Sequence, residues 1–227
     1  MRLLTLLVLG LVLVSGCKKD DPPDLPGKVV LTAPAKNSEC TPIQTSSGNS
    51  NVVRFNWQPS DFTEIYELRV TNLATGTIQT KSTTNTIETL SLEKGLPFSW
   101  VVVSKNSQTT TTMTSDSWLF YNPGSQTSYA PFPAEIISPK PGATVFKDIN
   151  NEVTLEWSGA DIEDDILGYE VYFSMENPPE TLIASPDANT TQQKVSVAPD
   201  MVYYWKVITI DAAGNSSDTG ILDFRCR

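Results

Sequence analysis

Along most of the chain, apolar and polar residues alternate one for one in short blocks. Val53-Arg-Phe55-Asn-Trp57, Tyr66-Glu-Leu68-Arg-Val70 and Phe98-Ser-Trp100-Val-Val102 each put every second side chain on one apolar face. That period of two belongs to an extended strand with one face buried. Between blocks stand turn-forming residues: Ala74-Thr-Gly76, Lys94-Gly95, Asn122-Pro-Gly124, Pro141-Gly142 and Ala213-Gly214-Asn215. Short strands at this spacing predict an all-β chain folded as a two-sheet antiparallel sandwich.

The pattern recurs after about 100 residues. Val153-Thr-Leu155-Glu-Trp157 repeats the first block, Tyr169-Glu-Val171-Tyr-Phe173 the second and Tyr203-Tyr-Trp205-Lys-Val207 the third. Trp118-Leu-Phe120 returns as Leu222-Asp-Phe224, and Pro34 as Pro139. A repeat of domain length means two tandem units. The expected organisation is module one at 28–122, a linker at 123–133 and module two at 134–227.

A Trp on the second strand, a Tyr-x-Val-type pair on the third and Tyr-x-Trp-x-Val on the sixth resemble fibronectin type III-like modules. Module two holds them as Trp157, Tyr169 with Val171, and Tyr203-Trp205-Val207. Val197-Ala-Pro199-Asp-Met-Val-Tyr203 also resembles the approach to a tyrosine corner, whose hydroxyl bonds back to the chain. Module one departs from the pattern, with Phe98 at the corner position. The resemblance implies two immunoglobulin-like β-sandwiches and names no activity.

Phase decides the role of the aromatic residues. Trp57, Trp100, Trp157 and Trp205 share the apolar face of their strands and are expected in the cores, as is Trp118. Tyr172 and Tyr204 are out of phase and are expected to face outward; Phe62 lies in a loop. Tyr129 and Phe132 lie in the linker, where they are expected to pack between modules.

The chain opens differently. Met1-Arg2 precedes a twelve-residue apolar run, Leu3–Val14, closed by Ser15-Gly16-Cys17. A membrane-spanning helix needs about twenty residues, so the run reads as an export signal, residues 1–16. Small residues before a cysteine resemble the bacterial lipobox, which implies lipidation of Cys17 and a membrane-anchored protein. The charged, Pro-containing segment 17–27 reads as a disordered tether. Its start, Cys17-Lys-Lys-Asp-Asp21, resembles the export tag of surface lipoproteins of the Bacteroidota type. The tandem modules with Tyr129-Ala-Pro-Phe-Pro-Ala-Glu-Ile136 between them also resemble lipoproteins of that group. The implied location is the outer membrane, facing the cell exterior.

Charge divides unevenly. Residues 28–122 hold seven basic and seven acidic side chains, whereas residues 131–227 hold six and sixteen, the whole net −10. Such a surface repels phosphate backbones, which argues against nucleic acid as a partner. The chain has no histidine, so Ser-His-Asp and Cys-His catalysis and histidine metal sites are excluded.

One acidic constellation stands out. Asp161, Glu163, Asp164 and Asp165 fall in the loop between the second and third strands of module two. Asp211 and Asn215 fall in the loop between its sixth and seventh. These loops share one pole of a sandwich, the pole facing module one, and six oxygen-bearing side chains there form a candidate Ca²⁺ site. No other cofactor is expected. Cys40 and Cys226 are placed at distant poles, so no disulfide is expected between them. The leading reading is a non-catalytic lipoprotein displaying two sandwiches for binding or adhesion to a surface protein or glycan, with the free pole of module two as its contact surface. A structural or accessory subunit of an envelope or glycan-capture complex is the alternative, and a small two-carboxylate hydrolase a remote one.

Overall fold

The computed structural model describes residues 22–40, 43, 45–125 and 128–227. The export signal, Cys17 and the tether up to Asp21 lie outside the described residues. All regular structure among the described residues is β.

Module one contains β1 (Leu31–Ala33), β2 (Ser38–Glu39), β3 (Thr45–Ser47), β4 (Ser50–Trp57), β5 (Ile65–Asn72), β6 (Ile78–Thr83), β7 (Ile87–Glu93), β8 (Leu96–Lys105), β9 (Met113–Thr114) and β10 (Trp118–Asn122). In one sheet β4 pairs with β1, β3 and β7; the other runs β2-β10-β8-β5-β6, with β9 on β8. Module two repeats the plan with β11 (Phe132–Ser138), β12 (Ala143–Val145), β13 (Glu152–Ala160), β14 (Ile166–Ser174), β15 (Leu182–Ala184), β16 (Gln192–Ser196), β17 (Val202–Asp211), β18 (Ser216–Asp218) and β19 (Leu222–Cys226). Its sheets are β11-β13-β16 and β12-β19-β17-β14-β15, with β18 on β17. In both modules the first strand is split, and its second half (β2, β12) pairs in parallel with the last strand of the opposite sheet.

The period-two blocks became strands with the expected faces inward. Phe55, Trp100 and Phe120 meet edge-on at the centre of module one, with ring centroids 5.2 and 5.8 Å apart. Trp157 and Tyr169 pack in the same T-shaped way in module two, as do Trp57 and Tyr66 in module one. Trp57, Trp100, Trp157 and Trp205 are buried, and none of their indole N–H groups has a hydrogen-bond partner among the described residues. Their apolar surface therefore holds them in place, not a polar contact. Tyr203 forms the tyrosine corner: its hydroxyl accepts from the Ala198 N–H at 2.8 Å. Phe98 stacks on Phe120 instead, at 5.7 Å.

Four expectations need correction. Trp118 is only partly buried: it opens β10 at the margin of the core, edge-on to Trp100 at 6.2 Å. Tyr172 and Tyr204 are half-buried, not fully outward; Tyr172 donates to Glu170 at 2.8 Å and lies under the Lys206 ammonium. The tether docks before Gly27: Pro26 is buried, the Gly27 N–H donates to the Asp61 carbonyl at 2.7 Å, and Asn106 donates to the Asp24 carbonyl at 2.9 Å. Module two begins at Phe132, inside the span expected as linker, because Phe132 already pairs with Ala160. Cys40 and Cys226 are both unbonded and buried in separate cores, with Cys40 at the joint and Cys226 at the far end of β19.

Candidate functional site

Three places on the molecule hold groups with something to bind: the joint between modules, a groove beside it, and the free pole of module two.

The joint starts from two buried amides. Asn122 Nδ2 donates to the carbonyls of Leu92 and Glu93 at 2.9 and 2.7 Å, and Asn51 Nδ2 donates to Asn122 Oδ1 at 3.0 Å and the Pro123 carbonyl at 2.9 Å. This fixes the direction in which the chain leaves module one. Tyr121 then packs at a tilt against Tyr129 and Phe132, with centroids 4.7 and 5.1 Å away, and its hydroxyl donates to the Ala130 carbonyl at 2.9 Å. The Tyr129 hydroxyl donates to Glu39 of module one, while its N–H donates to the Glu163 carboxylate of module two at 3.3 Å. Lys36 and Glu135 close a cross-module ion pair at 2.6 Å. The linker aromatics thus pack between the modules, as their positions implied, and cross-module bonds hold the angle.

The acidic loops lie at this joint. The Ala212 N–H donates to the Asp165 carbonyl at 3.0 Å, which ties the two loops together. Their side chains do not converge on a common point. Asp211 is buried and spends both oxygens on Asn215, accepting from its backbone N–H and its Nδ2 at 2.7 Å each. Glu163 turns to Tyr129, and Asp164 is exposed in a left-handed conformation. Asp161 and Asp165 face each other, each with one buried oxygen lacking a partner. Burial, and then the facing Asp165, push the Asp161 carboxyl up to about 6. Among the described residues no group of three or more His, Cys, Asp or Glu side chains is arranged to hold a metal ion. Burial pushes the Tyr121 hydroxyl up to about 12, helped by the charges of Asp161 and Glu163.

A groove of about 450 Å³ runs beside the joint. Module one supplies Leu73, Trp118 and Leu119; module two supplies Pro133, Ala134 and Ala160. The hydroxyls of Ser99, Ser117 and Ser158 border it with Asn37, whose side-chain oxygen is buried without a partner. Its charged members are matched: Lys36 with Glu135, and Asp116 with Lys28 at 2.7 Å. The Lys28 ammonium holds the Asp116 carboxyl below the usual range. The spacing of these residues in the chain gave no sign of the groove, since docking of the modules creates it.

The free pole is apolar at its tips. Phe146 and Ile149 in the β12–β13 loop are 80% and 98% exposed, and Met175 and Met201 beside them 56% and 41%. Register puts all four at one end: β14 ends where β17 begins, and Val145 pairs with Cys226 at the end of β19. Sandwich topology pointed to this pole as the contact surface but singled out neither Phe146 nor Ile149, which belong to no alternating block.

No family model and no curated protein matches the chain. Among solved structures it is similar to the fibronectin(III)-like modules of Clostridium thermocellum CbhA, at 12% identity over 88% of this chain and 94% of that one, with a TM-score of 0.35. It is similar to a two-module fibronectin type III segment of chicken tenascin, at 15% identity over 88% and 99%, with a TM-score of 0.28. The fibronectin domain of the human collagen alpha-1(XX) chain covers 49% of this chain and 98% of itself, at 17% identity and a TM-score of 0.33. Strand order makes each half of the chain a fibronectin type III-like β-sandwich.

Proposed function

We propose that the protein is a non-catalytic lipoprotein of the outer membrane, anchored through Cys17 and displaying a rigid pair of sandwiches whose free pole binds a surface protein or glycan. The observation that carries this reading is the exposure of Phe146 and Ile149. Monomeric proteins seldom leave large apolar side chains together at one exposed tip unless something covers them. The joint supports the same reading, because a fixed angle holds that pole at the end away from the N-terminal tether.

Two experiments test it. Fractionation of cells making the full chain should find it in the outer membrane and open to surface biotinylation, with Cys17→Ser released in soluble form. Membrane retention of Cys17→Ser would refute the lipid anchor. The double variant Phe146→Ser/Ile149→Ser should keep the melting temperature and lose adhesion to a surface-protein array. Unchanged adhesion would move the contact surface elsewhere.

A further inference from the structure

We infer that the groove between the modules binds one or two units of a neutral, uncharged saccharide. This site is separate from the free pole and stands without it. Four features of the groove narrow the ligand. First, it is pre-formed: Lys36–Glu135 and the packed linker aromatics hold its two walls, which come from different modules. Its volume of about 450 Å³ falls within the range of about 300–1,000 Å³ usual for ligand sites.

Second, Trp118 lines it. The other four indoles are in the cores, so Trp118 is the one tryptophan with surface to offer a ring. Aromatic side chains present a large apolar body to the C–H faces of a sugar. Third, the polar groups around it are hydroxyls and an amide. Among the described residues Ser99, Ser117 and Ser158 spend their hydroxyls on no protein partner, and Asn37 carries an unpaired oxygen. A hydroxyl both donates and accepts, which suits the mixed donors and acceptors of a polyol.

Fourth, charge excludes the competitors. The rim lysine Lys36 is paired with Glu135, so no unbalanced cation remains to draw anions such as phosphates and acidic sugars. The carboxylates of Asp116 and Glu135 are already paired with lysines, so no unbalanced charge remains to draw a cation. A wholly apolar ligand would strand the three serines without water. An extended peptide would instead pair its backbone along the edge of β11, and the peptide array reads that outcome.

The test uses the full chain in detergent and a glycan array containing neutral and acidic oligosaccharides beside a peptide array. Hits are quantified by calorimetry. Neutral glycans should bind, and acidic ones and peptides should not. Trp118→Leu and Ser158→Glu should each weaken the glycan about tenfold, the scale of one lost aromatic contact. Ser158 is exposed on β13, so its variant keeps the fold even if Trp118→Leu loosens module one. Phe146→Ser/Ile149→Ser should bind the glycan like wild type. Neutral-glycan affinity unchanged in both groove variants would overturn the site while leaving a binding protein. Binding only of peptides, only of acidic glycans, or of nothing on either array would overturn the ligand class.

Discussion

Replacing Asn122 by alanine should unfasten the joint from module one. Asn122 is fully buried and serves as the knot between the last strand of module one, the β7 end and the exit of the linker. The change removes two donated bonds, to the Leu92 and Glu93 carbonyls, and one accepted from Asn51. Each such bond contributes about 1 kcal/mol net, and acceptors left bare in a buried site raise the loss. Asn51 keeps its bond to the Pro123 carbonyl, which limits the damage. The sum is about 3 kcal/mol, taken from module one alone. Urea titration should move the midpoint of module one down by about 1–3 M, given a slope of about 1–3 kcal/mol per M. Hydrogen exchange read peptide by peptide should show faster opening across β4, β7 and β10, with β13, β14 and β17 unchanged. Asn51→Ala should be strongly non-additive with Asn122→Ala, since both act on one contact. A loss under about 0.5 kcal/mol, the range of an ordinary surface change, would refute the reasoning. So would equal loss in both modules.

Two further changes probe the corner and the acidic loops. Tyr203→Phe should destabilise module two by about 1–3 kcal/mol, because it leaves the Ala198 N–H without its acceptor; calorimetric melting that shows no shift would refute this. The Asp161 carboxyl titrates near 6 in the folded protein against about 3.8 when unfolded, so the folded state holds more protons between those values and stability falls as pH rises through that window. Asp161→Asn should therefore raise the melting temperature at pH 7 and lose most of that advantage at pH 4; a gain equal at both pH values would show that the raised carboxyl is not responsible.

What the chain's own order determined was everything that depends on neighbours one or two residues apart. Alternation fixed which face of each strand is apolar, and so it placed Trp57, Trp100, Trp157 and Trp205 in the cores; the corner at Tyr203 followed from the resemblance to fibronectin type III-like modules. The 100-residue repeat fixed two modules, and β-sandwich topology put the acidic loops at the joint. Side-chain direction within those loops was not legible. Six oxygen-bearing side chains could have converged, but Asp211 spends its carboxylate on Asn215 and Glu163 accepts from Tyr129 across 34 positions of chain.

Tertiary structure alone decided the rest. Asn51 and Asn122 are 71 positions apart and read as turn or strand residues until the sheets bring them together. Trp118 had the phase of a core residue, yet it borders the groove between the modules, so part of it stays open. The groove has walls from residues 36 to 160, and no periodicity can encode a surface that exists only when two finished modules dock. Alternation is a property of one strand against one core; a joint is a property of two cores against each other, and its geometry is set by long-range contacts such as Lys36–Glu135 and Tyr129–Glu39.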